Sequence, residues 1–315
     1  MASEESLESK PLLVVGLGTY KRPGMLRKAL VSSSILKTPM ETDVVFVVCD
    51  NDVEQSAKSV YEEVKSSIPF PSTYLNEPNQ GIVKMRNKVL DHAILQNAKY
   101  LAFFDDDEEL TPDWLVNLLE TLNTYAATAV GGPLDREMPS TGNLAEEVRE
   151  FLQSFIPRGR TGEERRFLGS GNVLIDLHFV KKFSLRFKEV FNLLGGEDTF
   201  FFKEIVDLGG SLVWCQEAVL KTEVDPRRLT EEYALELQYR FVQYEYHSRR
   251  LTLGKLSALV KALELLYKHS TTIIRKRMNG SLSRFEELRR KMAIKGLIHA
   301  ISGKVLEPYK TTDGY

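Results

Sequence analysis

Apolar runs of strand length recur through the first half of the chain, and each closes on a polar cluster before helical spacing begins. PLLVVGLGTYKRP delivers Thr19, Tyr20 and Arg22 at its end, DVVFVVCDND ends in Asp50, Asn51 and Asp52, and KYLAFFDDDEEL ends in the triplet Asp105-Asp106-Asp107. Runs that are apolar on both faces suit strands covered on both sides, as in a parallel sheet. Between them, MLRKALVSSSIL spaces Leu26, Leu30 and Ile35 as a helix does, and NQGIVKMRNKVLDHAILQNA does the same with Ile82, Val83, Val89 and Ile94. Strands alternating with helices predict a doubly wound α/β fold, Rossmann-like with a mostly parallel central sheet. Ligands of such sheets bind outside the carboxyl ends of the strands, so the three polar clusters are expected to line one crevice.

The second half is less regular. Residues 133–167 carry scattered charge, Gly and Pro, and predict a connection holding a short helix around Leu144 to Phe155. RFLGSGNVLIDLHFV reads as a glycine-rich approach to a strand, LLGGEDTFFFKEIVDLGG as a turn and helix, and SLVWCQEAVLKTEV as one strand. From about Thr230 the spacing is helical, with breaks expected near Gly280 and Gly303.

The net charge of -2 hides an asymmetry: residues 249–310 hold 15 Lys and Arg against 4 Glu, a local net of +11. Leu, Ile, Val and Tyr interleave with these cations, which suits a helix lying on an anionic membrane surface. A helical bundle with a solvated basic face explains the same pattern. Nucleic-acid binding is not expected, because no recognisable module accompanies the charge. Two cysteines, Cys49 and Cys215, are too few for a disulfide framework, and the polar opening MASEESLESK lacks the form of a signal peptide; a cytoplasmic location is expected.

Three consecutive aspartates at a strand end repel one another unless a cation sits among them. Oxygen ligands from Asp105 and Asp107 suit Mg2+ or Mn2+ better than zinc, although a solvated turn capping the helix at Thr111-Pro112-Asp113 also accounts for the triplet. In GGEDTFFF, Gly195 and Gly196 make a turn that presents Glu197 and Asp198 at a helix start. Asp198 is the candidate general base, with Glu197 orienting it or meeting an acceptor; simple helix capping is the competing explanation. Lys84 and Arg86 in NQGIVKMRN are candidates for phosphate contacts. Asp50 can accept a hydrogen bond from a base, or merely form the CDND turn.

Taken in order, TYKRPGMLRKAL, CDND, NQGIVKMRN, FFDDDEELTPDWL, GSGNVLI and GGEDTFFF resemble the family 2 glycosyltransferases with the GT-A fold, over about residues 11 to 245. The spelling is most similar to the succinoglycan-type glucosyltransferases of bacterial exopolysaccharide assembly. The resemblance implies a polar tail at 1–10 and a catalytic domain at 11–245, divided into a nucleotide-sugar half (11–132) and an acceptor half (133–245). A basic helical extension follows at 246–315. It implies a hexosyltransferase that inverts at the anomeric carbon, with UDP-glucose as donor and a glycan or lipid-linked acceptor, in polysaccharide assembly. It assigns Thr19, Tyr20, Arg22, Asp50, Lys84, Arg86 and Asn87 to the donor, with Asp105 and Asp107 on the metal, Asp106 toward the ribose and Asp198 as base. Gly171, Asn172, Trp214 and Glu197 fall on the acceptor side, and an arginine such as Arg227 or Arg240 is expected to close over the diphosphate, although the spacing in TEVDPRRLTEEY departs from the family pattern.

Two other function classes fit part of the pattern. A nucleotidyltransferase also joins an α/β crevice to an acidic metal site, but needs a glycine-rich basic loop after the first strand, which GLGTYKRPG offers only faintly. A sugar-binding module without activity would have no need of both sets of carboxylates.

Overall fold

The computed structural model describes residues 10–137 and 144–304. The acidic tail at 1–9 and the last part of the basic extension, 305–315, lie outside the described residues. Strand β1 (Leu12–Thr19) leads into α1 (Pro23–Ser32), then β2 (Asp43–Asp50), α2 (Lys58–Val64), β3 (Ser72–Asn76), α3 (Ile82–Leu95) and β4 (Tyr100–Asp105). There follow β5 (Glu108–Glu109), α4 (Trp114–Thr124), β6 (Ala129–Gly131), β7 (Leu134–Glu137), α5 (Glu146–Gln153), β8 (Glu164–Arg165) and β9 (Asn172–Asp176). The chain continues through α6 (Leu177–Lys182), α7 (Glu197–Asp207), β10 (Leu212–Trp214), β11 (Leu220–Glu223), α8 (Glu231–Met278) and α9 (Arg284–Ser302).

The main sheet runs in the order β3-β2-β1-β4-β9-β6-β10-β8, parallel except that β9 and β8 are antiparallel to their neighbours. Alternation along β1 divides the core: Leu13, Val15 and Leu17 join the layer shared with α1, α2 and α4, while Val14 joins the layer shared with α3, α6 and α7. Gly18 leaves room for α3, since a Cβ there would lie 2.0 Å from Met85 Sδ.

The expected single strand at SLVWCQEAVLKTEV is two strands in two sheets. β10 pairs with β6 in the main sheet, whereas β11 pairs with β5 and β7 in a three-stranded sheet. Cys215 to Val219 turns the chain between them, because the backbone of Cys215 stays bonded to Gly131 while that of Leu220 bonds to Pro133.

Helix α8 starts on a Thr230 cap, whose Oγ1 accepts from Tyr233 N at 3.1 Å, and it runs through residue 245 to a kink at Gly254. After Gly280 the chain reverses, and Ser283 caps α9, which packs Ala293, Leu297 and Ala300 against Val242, Tyr246, Ala258 and Ala262. Glu264, Glu286 and Glu287 each pair with a Lys or Arg of this hairpin. On α8, Leu253, Leu256, Val260, Leu263, Tyr267 and Ile274 are all more than half exposed and recur every three, four or seven residues. Among the described residues no helix is long and apolar enough to cross a membrane.

Candidate active site

A crevice of about 950 Å³ opens at the carboxyl ends of β1 and β4, and Thr19, Tyr20, Arg22, Asn51 and Asp105 to Glu108 form one side of it. A turn at Asp106-Asp107 sends the chain back after β4, so that Glu108 Oε2 accepts from the Asp105 backbone N–H at 2.8 Å. Oxygens of Asp105, Asp107 and Glu108 thereby come within 4.8 Å of one another. Burial, with the neighbouring acids adding to it, holds Glu108 well above the usual carboxylate range and raises Asp107 as well. Three hard oxygen ligands gathered this closely fit a divalent cation. Glu108 was not expected in this set; the acidic run DDDEE marks it only once the turn is known to reverse the chain.

Asp106 faces the other way. Its Oδ2 accepts from Thr19 Oγ1 at 2.7 Å and its Oδ1 from Arg22 Nη1 at 3.1 Å, tying the end of β1 to the end of β4. Burial pushes its carboxyl up to about 7, with Arg22 and Thr19 opposing the shift. It lines the crevice with both oxygens already engaged, rather than offering a free carboxylate to a ribose.

Gly195 and Gly196 both adopt φ of +84°, the left-handed conformation that side chains disfavour, and α7 begins at the next residue. Glu197 and Asp198 consequently occupy the first turn of α7, where the helix dipole favours negative charge. Asp198 Oδ1 accepts from the backbone N–H of Thr199 at 2.6 Å, and Oδ2 lies 3.9 Å from where a Cβ on Gly169 would stand. One carboxylate oxygen is thus held by the helix start, and the other faces space left by a glycine.

Glu197 is 3% exposed and bonds to Arg86 Nη1, while Arg86 Nη2 reaches Asp105 Oδ1 at 3.4 Å. Arg86 therefore joins the acidic cluster to the helix carrying Asp198, and both it and Glu197 are buried. Both residues line the crevice, and there the charged end of Arg86 meets the carboxylates of Glu197 and Asp105.

Other expected residues lie outside the crevice wall. Asp50 is fully buried and accepts from Asp52 N, Ala57 N and the Tyr74 hydroxyl, so it builds its own turn; Asn51 is the member of CDND that reaches the crevice. Asn87 exchanges hydrogen bonds with the backbone of Phe187, and Lys84 pairs with Glu189 at 3.0 Å. Arg227 pairs with Asp225, whereas the adjacent Arg228 lines the crevice, 3.9 Å from Asp107.

On the acceptor side, Asn172 lines the crevice but bonds to Pro133 O, Ala218 O and Trp114 Nε1, so its amide holds three segments together. Trp214 lines the crevice while 3% exposed, with Arg165 over its ring at 5.1 Å. Gly171 sits against the acidic cluster, where a Cβ would lie 2.7 Å from Glu108 Oε1 and 2.8 Å from Asp105 Oδ2. Gly171→Ala should weaken Mn2+ binding by about tenfold or more through displaced ligands. Titration calorimetry with Mn2+ checks this, and unchanged affinity would contradict the placement of the cluster.

The model of glycosyl transferase family 2 matches residues 15–184. The succinoglycan biosynthesis protein ExoM of Rhizobium meliloti is 32% identical over 226 residues, 72% of this chain and 71% of that one. A GalNAc(5)-diNAcBac-PP-undecaprenol beta-1,3-glucosyltransferase of Campylobacter jejuni is 28% identical over 138 residues, 44% of this chain and 42% of that one. Among solved structures, the mannosyltransferase PcManGT of Pyrobaculum calidifontis in complex with GDP-Man and Mn2+ matches with a TM-score of 0.60 at 14% identity, covering 94% of this chain and 88% of the other. S. aureus TarS 1-349 in complex with UDP matches with a TM-score of 0.52 at 13% identity, covering 92% and 90%. At these identities the structural likeness establishes the GT-A fold, and together with the sequence matches it shows that the chain belongs to glycosyl transferase family 2, as a glycosyltransferase of the succinoglycan type.

Proposed function

We propose that the protein is an inverting hexosyltransferase that moves a sugar, glucose from UDP-glucose being the favoured case, to a hydroxyl of a lipid-linked glycan during polysaccharide or glycoconjugate assembly. The observation that carries this reading is the meeting, in one crevice, of the Asp105-Asp107-Glu108 cluster with Asp198 on a separate helix start. Asp105, Asp107 and Glu108 would hold Mg2+ or Mn2+, which when bound supplies positive charge to the leaving diphosphate. Tyr20 and Asn51 border the same part of the crevice and are suited to contact the nucleoside. Asp198 takes the proton from the acceptor hydroxyl as its oxygen attacks the anomeric carbon, and the bond to the diphosphate breaks on the opposite side. In-line displacement of an α-linked donor leaves a β-linkage. The names of the R. meliloti and C. jejuni relatives support the pathway class and a lipid-linked acceptor.

Offering UDP-, GDP- and dTDP-sugars with Mn2+ or with EDTA tests the reading. The expected result is nucleoside diphosphate release that requires the metal and is fastest with UDP-glucose; release of pyrophosphate instead would indicate a nucleotidyltransferase.

The exposed apolar row on α8, flanked by Lys255, Lys261, Lys268 and Arg275, supports peripheral attachment of residues 249–310 to the anionic inner face of a plasma membrane from the cytoplasmic side. Leu256→Glu with Leu263→Glu should then release the protein from phosphatidylglycerol liposomes without altering soluble turnover. Retained binding in flotation would refute that attachment.

A further inference from the structure

Part of the crevice wall is neither acidic nor suited to a nucleotide. Arg149 of α5 lines it, as do Phe155 and Ile156 just after that helix, Phe241 of α8 and Arg136 of β7. Phe155 and Phe241 meet edge to face at 6.4 Å and yet remain 43% and 45% exposed, an apolar surface left uncovered inside a binding crevice. The two arginines are incompletely satisfied: Nε of each is buried and, among the described residues, donates to nothing. The carboxylate paired with Arg149, Glu146, is 3.8 Å from its Nε, beyond hydrogen-bond reach. Burial disfavours the charged form of Arg136, and the like charge of Arg228 beside it adds to this.

A buried guanidinium Nε–H without an acceptor is costly unless an anion completes it, the more so at Arg136, which has a second cation beside it. Planar N–H donors match phosphate oxygens in particular. Donor diphosphate would be met by the cation that the acidic cluster is proposed to hold, and a sugar nucleotide has no long apolar segment to cover Phe155 and Phe241. What joins a phosphate to an apolar chain is an amphiphile. Resting on the glycosyltransferase reading above, we propose that this wall is the acceptor subsite and binds a lipid phosphate or diphosphate, with Arg136 and Arg149 on the phosphate and Phe155, Ile156 and Phe241 against the first part of the lipid chain.

Binding is measured by calorimetry on the full chain saturated with UDP and Mn2+, with farnesyl diphosphate, farnesol and inorganic pyrophosphate as probes, so that the outcome does not depend on turnover. Farnesyl diphosphate should bind at least about tenfold more tightly than either of the other two, because only it engages both halves of the subsite. Arg136→Gln with Arg149→Gln should remove about tenfold or more of that affinity, and Phe155→Ala with Phe241→Ala should reduce it to the pyrophosphate value, with UDP affinity unchanged in both variants. The UDP titration also reports folding; if a variant is lost, the comparison of the three probes on the native protein still decides. Displacement of UDP by farnesyl diphosphate, or weakened UDP binding in the arginine variant, would assign these cations to the donor and overturn the proposal. Farnesol binding as well as its diphosphate would overturn it too, leaving an apolar wall without an anion site. Absence of nucleoside diphosphate release in the earlier assay would overturn the glycosyltransferase mechanism while leaving this binding result to stand or fall by itself.

Discussion

Asp198→Asn should lower sugar transfer by about a thousandfold while the protein binds UDP and Mn2+ as before. The asparagine keeps the size of the side chain and can still accept the hydrogen bond from Thr199 N, so the start of α7 is preserved. What it loses is the ability to take a proton, and general base catalysis contributes roughly 10² to 10⁴ in rate. The effect should fall on kcat, since Asp198 is not part of the acidic cluster proposed to hold the donor's metal. Asp107→Asn should behave differently, raising the Mn2+ and donor concentrations needed for turnover by removing a ligand. Steady-state kinetics with both substrates varied separates the two. Turnover within tenfold of the native value in Asp198→Asn would remove that residue from the base role and redirect attention to another group in the crevice.

The features that were legible in the sequence are those set by local pattern. Apolar runs of strand length specify buried strands, and GlyGly before Glu197 specifies a sharp entry to a helix, so the sheet, the acidic cluster and the position of Asp198 all follow from short stretches of chain. Side-chain direction at those stretches is a tertiary matter. Asp50 looks like a crevice residue because it ends a strand, but Tyr74 from the neighbouring strand and the amide of Ala57 claim it. Arg86 looks like a phosphate contact because it follows a loop, and it does line the crevice, but its pairing there with Glu197 and Asp105 is a tertiary matter. Glu108 joins the acidic cluster through a reversal that a run of five acids does not reveal. Arg227 and Arg228 are adjacent, and which one turns inward depends on the Asp225 cap that pairs with Arg227. Much of the apolar wall comes from α5 and α8, segments separated by about eighty residues, and no local pattern announces that they meet.

Arg86→Met should be the most destabilising single change near the site, by about 3 to 5 kcal/mol, because it leaves the buried Glu197 carboxylate without its partner. Burial holds the Glu197 carboxyl above the ordinary range even with Arg86 pulling it down, so without the guanidinium the carboxyl rises further. A group whose folded pKa exceeds its unfolded value of about 4.3 binds more protons when folded, and stability then falls as pH rises from 4.3 through the folded pKa. The deficit of the variant should therefore be smaller at pH 5 than at pH 8, as melting curves at the two pH values would show. Adding Glu197→Leu removes the buried charge, and replacing a buried ion pair by apolar groups of similar volume is often neutral. The double variant should recover most of the lost stability at pH 8. Its activity should remain low, because Asp105 has still lost the guanidinium 3.4 Å away that helps fix its carboxylate. Full activity in a stable double variant would show that Arg86 serves the fold alone; stability that fails to return would mean that its other contacts, not Glu197, require it.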